Sequence, residues 1–143
     1  MPKVQADGLP LPQRYGAILT IVIGISMAVL DGAIANVALP TIATDLHATP
    51  ASSIWVVNAY QIAIVISLLS FSFLGDMFGY RRIYKCGLVV FLLSSLFCAL
   101  SDSLQMLTLA RVIQGFGGAA LMSVNTALIR LIYPQRFLGR GMG

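Results

Sequence analysis

Four long apolar stretches separated by short polar segments dominate this chain of 143 residues. A helix needs roughly 20 apolar residues to cross the hydrocarbon core of a bilayer, and each stretch is long enough. Because lipid offers no hydrogen bonds to the backbone, a spanning segment has to satisfy its own, as a helix does. Only 10% of the residues are charged, too few to cover such apolar surfaces in water. The sequence therefore predicts an all-α, polytopic membrane helix bundle.

The apolar stretches also divide the chain into segments. We expect a cytoplasmic tail over residues 1–14 and a second cytoplasmic end over residues 134–143. The four predicted transmembrane helices between them cover approximately 16–39, 54–74, 83–100 and 105–133. An even number of spans places both ends of the chain on the same side of the membrane.

Basic side chains indicate which side that is. Apart from Arg111, every Lys and Arg lies in or beside the two tails or the turn between the second and third spans. The loops 40–53 and 101–104 contain none. Short cytoplasmic loops carry an excess of Lys and Arg, so both termini are predicted to be cytoplasmic. We therefore attribute the positive charge to topology and expect no nucleic-acid partner.

One acid and one base lie inside the predicted spans. At about 1.5 Å per residue, Asp31 is roughly 13 Å below the outer end of the first helix, and Arg111 is roughly 9 Å below that of the fourth. An isolated charge there costs about 2.5–3.5 kcal/mol on insertion scales, so such residues usually face a cavity or a partner. We expect Asp31 and Arg111 to line one cavity and to pair there directly or through water. Gln114 and Asn36 are candidates for the same cavity, and interhelical hydrogen bonding explains such polar residues about as well. The alternative is that Arg111 reaches the outer headgroups while Asp31 bonds a neighbouring hydroxyl.

Small residues recur on the first and fourth helices. They follow each other every four residues on the first helix and form a glycine cluster on the fourth. Small side chains at a helix surface allow two backbones to approach closely in a membrane. Helix packing therefore explains these positions, which are Gly24, Ala28, Gly32, Gly115, Gly117 and Gly118.

The sequence has no pattern typical of a soluble catalytic site. The run GFGGAA lies inside a predicted helix rather than after a strand, so it is not a phosphate-binding loop. Cys86 and Cys98 match no metal-binding spacing, and about 18 Å of helix separates them, too far for a disulfide. We therefore expect no enzyme activity, no metal and no cofactor.

Recognisable motifs occur in three segments: SFLGDMFGYRRIY in the turn after the second span, LDGAIANVALP at the end of the first span, and LTLARVIQGFGGAA in the fourth. Together they resemble the major facilitator superfamily, and most closely its 14-helix drug:proton antiporters. The turn SFLGDMFGYRRIY is similar to the family motif Gly-x-Leu-Ala-Asp-Arg-x-Gly-Arg-Arg/Lys, from which it departs at Ser72, Gly75, Met77 and Tyr80. The resemblance implies that Asp76, Gly79, Arg81 and Arg82 form a loop that stabilises one transport conformation.

The first and fourth helices carry the other two segments. LDGAIANVALP is similar to Leu-Asp-x-Thr-x-x-Asn-Val-Ala-Leu-Pro, with Ala33 in place of Thr. LTLARVIQGFGGAA is similar to Leu-x-x-x-Arg-x-x-Gln-Gly-x-Gly-Ala-Ala, with Gly118 in place of Ala. The resemblance implies that Asp31 and Arg111 take part in proton coupling, with Gln114 and Asn36 in the same cavity.

This resemblance implies a secondary transporter of the plasma membrane, which would be the inner membrane of a bacterium. Its partners would be membrane lipid, a small hydrophobic or cationic substrate and protons. Family transporters have 12 or 14 helices, built from three-helix inverted repeats. We therefore expect the chain to be a truncated part of the N-terminal half, inactive alone. Two alternatives stay open: a four-helix protein that transports as an oligomer, and a non-transport membrane subunit.

Overall fold

The computed structural model describes residues 11–132, which form helices joined by short turns. The helices of this described part are α1 (Leu11–Asp45), α2 (Pro50–Phe78), α3 (Tyr80–Ala99) and α4 (Leu104–Ile132). All of them are long and apolar enough to cross a membrane. The prediction of an all-α membrane helix bundle is therefore confirmed for these residues. The predicted end 134–143 and most of the predicted tail lie outside them.

Helix α1 is longer than the first predicted span. It continues through Pro40, where the span was predicted to stop, and ends at Asp45. Proline removes a single hydrogen bond from a helix, and transmembrane helices tolerate this loss. The helix is instead terminated by His47, whose φ of 49° is left-handed. This conformation lets the Ala48 N–H donate to the Ala43 carbonyl at 2.8 Å, as in a Schellman cap.

Polar side chains fix the starts of α2 and α4. The Ser52 N–H donates to Thr49 Oγ1 at 3.2 Å, and Pro50 occupies the first turn of α2. The Met106 N–H donates to Ser103 Oγ at 3.3 Å at the start of α4. Such caps satisfy N–H groups that the first turn of a helix leaves without partners. Helix α2 therefore begins before the predicted start of the second span.

A single glycine separates α2 from α3. Gly79 has φ 93°, a conformation that residues with a Cβ rarely adopt. Its N–H donates to the Gly75 carbonyl at 3.0 Å, and its own carbonyl accepts from the Arg82 N–H at 3.0 Å. One residue thus closes α2, opens α3 and reverses the chain direction.

Helix α4 is the most buried of the described helices, and α1 is the most exposed. Helix α4 packs along both α2 and α3, which its glycines allow. A Cβ added at Gly117 would lie 2.7 Å from the Phe91 backbone nitrogen, and one at Gly115 would lie 2.7 Å from the Tyr60 carbonyl oxygen. A Cβ at Gly118 would lie 3.1 Å from the Tyr60 hydroxyl. These glycines therefore lie at close helix–helix contacts.

The small residues of α1 differ from one another. A Cβ at Gly24 would overlap the Tyr84 hydroxyl of α3, and Ala28 packs against the buried core. Around Gly32, no atom of the described residues comes within 4 Å of an added Cβ. The core itself contains side chains from all the described helices: Ile21, Tyr60, Tyr84, Phe91, Leu121, Val124 and Leu128.

Candidate functional site: an intramembrane charge network

An ion pair joins α1 to α4 inside the apolar helices. Arg111 Nη1 donates to Asp31 Oδ2 at 2.5 Å. The Arg111 side chain is 9% exposed and that of Asp31 is 17% exposed. Since a buried charge is costly when alone, each partner offsets the cost of placing the other in an apolar environment. The pair is therefore a specific attachment point between the two helices.

Gln114 connects this ion pair to α3. Its Oε1 accepts from Arg111 Nη1 at 2.8 Å, and its Nε2 donates to Asp31 Oδ1 at 2.9 Å and to Ser95 Oγ at 3.0 Å. The Cys98 thiol lies 3.7 Å from Gln114 Oε1 and donates weakly to it. Gln114 is 0% exposed. Both ends of its amide are thus occupied, so Gln114 orients the carboxylate and the guanidinium towards each other.

Tyr60 brings α2 into the same arrangement. The Arg111 guanidinium carbon lies 5.5 Å from the centroid of the Tyr60 ring, within the range of a cation–π interaction. Side chains from α1, α2, α3 and α4 therefore converge around Arg111. We call Asp31, Tyr60, Ser95, Cys98, Arg111 and Gln114 the charge network.

The chemistry open to the charge network is proton exchange at a carboxylate. Asp31 can accept hydrogen bonds at both oxygens when ionised, and it can take up a proton. Within residues 11–132, no group of His, Cys, Asp and Glu side chains is arranged to hold a metal ion. The chemistry that the arrangement itself offers is a change of charge at the Asp31 carboxylate.

Asn36 lies apart from the charge network. It is exposed on α1, and its Nδ2 donates to the Gly32 carbonyl of the same helix at 2.9 Å. The sequence placed it in one cavity with Asp31 and Arg111, and the structure does not bring it there.

The residues of the predicted conformational loop also lie elsewhere, at the α2–α3 turn. Asp76 is exposed and accepts a short hydrogen bond from the Tyr80 hydroxyl. Arg81 and Arg82 are exposed at the start of α3. Tyr80, which replaces an arginine of the family motif, is therefore the partner of Asp76 in the described part of the chain.

Sequence reasoning did not include Tyr60, Ser95 or Cys98 in the site. Hydroxyl and thiol side chains inside a span were interpreted as packing residues. Counting depth along α3 would not have selected Ser95, because it lies four residues before Ala99, about 6 Å from the outer end of its helix and nearer that end than Asp31 or Arg111 was expected to be. No such count identifies the Tyr60 ring, because aromatic residues are common throughout apolar helices.

The family model and the related proteins that this chain matches agree on one family. Residues 21–143 match the family model of the Major Facilitator Superfamily. The riboflavin transporter RibZ of Clostridioides difficile is 33% identical over 93% of this chain and 29% of its own length. The tetracenomycin C resistance and export protein of Streptomyces glaucescens is 34% identical over 95% of this chain and 24% of its own length.

A third relative is the putative multidrug resistance protein MdtD of Salmonella paratyphi B. It is 39% identical over 80% of this chain, which covers 24% of that protein. The chain thus spans about a quarter of the length of the curated relatives it matches. The family model covers most of the chain, and the helices are long enough to span a membrane. The chain therefore belongs to the major facilitator superfamily, whose members are multi-pass membrane transporters.

Proposed function

We propose that this chain supplies the first four helices of a secondary transporter that exports small hydrophobic or cationic compounds in exchange for protons. The observation that carries the proposal is the buried pair of Asp31 and Arg111, bridged by Gln114 within membrane-length helices. Ionisable residues at such depth usually belong to a proton or substrate pathway. The names of the relatives, which refer to riboflavin transport and tetracenomycin C export, support small organic substrates.

Protonation of Asp31 would change how α1 is attached to α4. As a carboxylate, Asp31 accepts hydrogen bonds from Arg111 and Gln114 at its two oxygens. A neutral carboxyl group would lose the charge attraction to Arg111, which is stronger in an apolar interior than in water. Proton binding would therefore weaken this contact and favour a different position of α1. Alternating access requires two such positions.

The same proposal places the N-terminus in the cytoplasm of a bacterial cell. Arg81, Arg82 and Lys85 are exposed at the α2–α3 turn, whereas residues 46–49 and 100–103 include no Lys or Arg. The excess of cations marks the cytoplasmic side. A membrane-impermeant maleimide should therefore label a His47→Cys variant in intact cells, in a background with Cys86 and Cys98 replaced. Labelling that requires permeabilised cells would contradict the orientation.

The transport test uses the protein expressed from its full reading frame and reconstituted in liposomes. With an imposed pH gradient, we expect gradient-dependent movement of riboflavin or ethidium. Asp31→Asn should reduce the gradient-dependent part at least tenfold, because the asparagine cannot exchange a proton. Asp102→Asn is the matched control, since Asp102 is exposed in the α3–α4 turn. Coupled transport that survives Asp31→Asn would contradict the role of Asp31.

A second experiment separates this proposal from that of an oligomeric four-helix transporter. The chain of residues 1–143, purified and reconstituted alone, should move neither compound across the membrane. The coding sequence after codon 143 should continue into a fifth apolar span. Transport by a defined oligomer of the 143-residue chain would contradict the proposal.

A further inference from the structure

A cavity of about 370 Å³ lies between α1, α2 and α4, with Tyr84 of α3 also in its lining, beside the charge network. Its volume is within the range of small-molecule binding sites, which is about 300–1,000 Å³. Its wall on α1 consists of Gly24, Ile25, Ala28, Val29 and Gly32. No described atom lies within 4 Å of a Cβ added at Gly32, so the absence of a side chain there leaves space open. Tyr60 lines the cavity and also contacts Arg111, so one side chain borders both the cavity and the ion pair.

The described lining of this cavity contains no charged side chain. Asp31 is adjacent in sequence to the lining residue Gly32, but its carboxylate is occupied by Arg111 and Gln114. A cation that entered the cavity would therefore lose its hydration without meeting a free counter-charge, which is costly. The electrostatics favour an uncharged ligand.

Among the described residues, one buried polar atom of the lining lacks a hydrogen-bond partner. Asn125 Oδ1 is buried, and no donor from the described residues reaches it. The Tyr84 hydroxyl in the same lining differs, because it donates to the Thr20 carbonyl at 3.0 Å. A buried carbonyl without a donor is destabilising, and the broad terminal torsion of asparagine allows Oδ1 to turn towards the cavity. A ligand hydroxyl or N–H would supply the missing donor.

We infer that this cavity binds an uncharged, mainly apolar molecule that carries a hydroxyl or N–H group, and that Asn125 Oδ1 accepts its hydrogen bond. The inference rests on the proposed transport function and narrows its substrates from hydrophobic or cationic compounds to neutral hydrogen-bond donors. Binding in the cavity adds contacts to the Tyr60 ring that also supports Arg111. Occupancy of the cavity is thereby linked to the ion pair that holds α1.

The test uses three probes that share a naphthalene ring. They are 1-naphthalenemethanol, which is neutral with a donor; its methyl ether, which is neutral without one; and 1-naphthylmethyl-trimethylammonium, which is a cation. Equilibrium dialysis against the chain in zwitterionic lipid nanodiscs, corrected with protein-free nanodiscs, measures binding. We expect the alcohol to bind about tenfold more tightly than the ether, because one additional hydrogen bond changes the affinity by about that factor. We expect the cation to bind most weakly. Equal binding of alcohol and ether, or tightest binding of the cation, would overturn the inference.

Two variants test whether the preference for the alcohol depends on Asn125. Asn125→Leu should lower alcohol binding to the level of the ether and leave ether binding unchanged, because leucine keeps the volume and removes the acceptor. Asn58→Leu is the matched control, since Asn58 is exposed on α2 and outside the lining. A preference for the alcohol that persists in Asn125→Leu would contradict the role of this residue. The ranking in the unaltered chain tests the ligand class even where a variant folds poorly.

The order of affinity of the three probes is measured without a pH gradient. It can therefore be wrong while the transport proposal is right, and the reverse also holds. Proton coupling that survives Asp31→Asn would reject the coupling mechanism while the probe ranking still stands. An incorrect ranking would reject the ligand class while the effect of Asp31→Asn still stands.

Discussion

Helices α1 and α4 are held in the bundle in different ways. Helix α4 packs closely along α2 and α3 and is the most buried described helix, whereas most of α1 is exposed. The contacts of α1 include polar ones at two points: Asp31, which pairs with Arg111 and accepts from Gln114, and Thr20, whose carbonyl accepts from the Tyr84 hydroxyl. The first depends on charge, and the second does not.

Among the described residues, this difference separates a helix held by close packing from a helix held by a few polar contacts. A packed interface has many small contacts and resists displacement, because interiors are nearly incompressible. An interface that depends on a few polar groups can be changed by altering one of them. The following variants test whether α4 is stabilised by packing and α1 by polar contacts.

The largest expected effect is that of Arg111→Leu. Removing one partner of a buried ion pair leaves Asp31 as an uncompensated charge, which costs about 3–5 kcal/mol of unfolding free energy. Unfolding in mixed detergent micelles measures the loss. The double variant Asp31→Asn, Arg111→Leu should recover much of it, because no unpaired charge stays. Arg82→Leu is the control, since Arg82 is exposed, and a loss for Arg111→Leu no greater than that for Arg82→Leu would contradict the comparison.

A smaller effect is expected when a methyl group is added to a glycine of α4. The Cβ of Gly117→Ala would lie 2.7 Å from the Phe91 backbone nitrogen and 3.0 Å from the Gly87 carbonyl oxygen, so the helices have to separate. Overpacking of this kind costs about 1–3 kcal/mol. Gly32→Ala on α1 is the matched control, because no described atom lies within 4 Å of its Cβ. It should be neutral or stabilising, and equal losses at the two sites would remove the distinction between the helices.

The sequence was sufficient to predict the helices and the meeting of the two charges. Apolar length fixes a membrane helix, and distance along it places Asp31 and Arg111 in the same layer, where the structure pairs them. The sequence indicates less clearly how each helix is rotated about its own axis. Helix α1 is apolar nearly all round, so its pattern does not indicate which face meets protein. Gly32 and Asn36 were both expected in contacts that are not found among residues 11–132.

Partners on α3 were equally hidden from the sequence. Ser95 and Cys98 join the network because α3 presents them to Gln114, and that depends on how α3 packs against α4. Tyr84 is a similar case, because its hydroxyl donates to the backbone carbonyl of Thr20, which lies 64 residues earlier in the chain. Backbone acceptors have no sequence signature, so contacts of this kind require coordinates.

Tyr84→Phe tests the second polar contact of α1. The variant keeps the ring in the core and removes the hydrogen bond to Thr20, which should lower the free energy of unfolding by about 1 kcal/mol. The missing hydroxyl also frees the space at Gly24, where an added Cβ would overlap it. Gly24→Ala should therefore be strongly destabilising in the unaltered chain and much less so together with Tyr84→Phe. Additive losses in this double-variant cycle would contradict the contact.

The smallest effect is expected at the α2–α3 turn, for Tyr80→Phe. The Tyr80 hydroxyl donates to Asp76, but Asp76 is exposed, so water replaces the lost hydrogen bond. The ring stays in place, close to where a Cβ on Gly75 would lie, at 2.9 Å from Tyr80 Cδ1. The unfolding midpoint should therefore match that of the unaltered chain. A loss of stability as large as that of Tyr84→Phe would mean that the turn depends on this one hydrogen bond. Burial would then no longer explain which polar contacts stabilise the bundle.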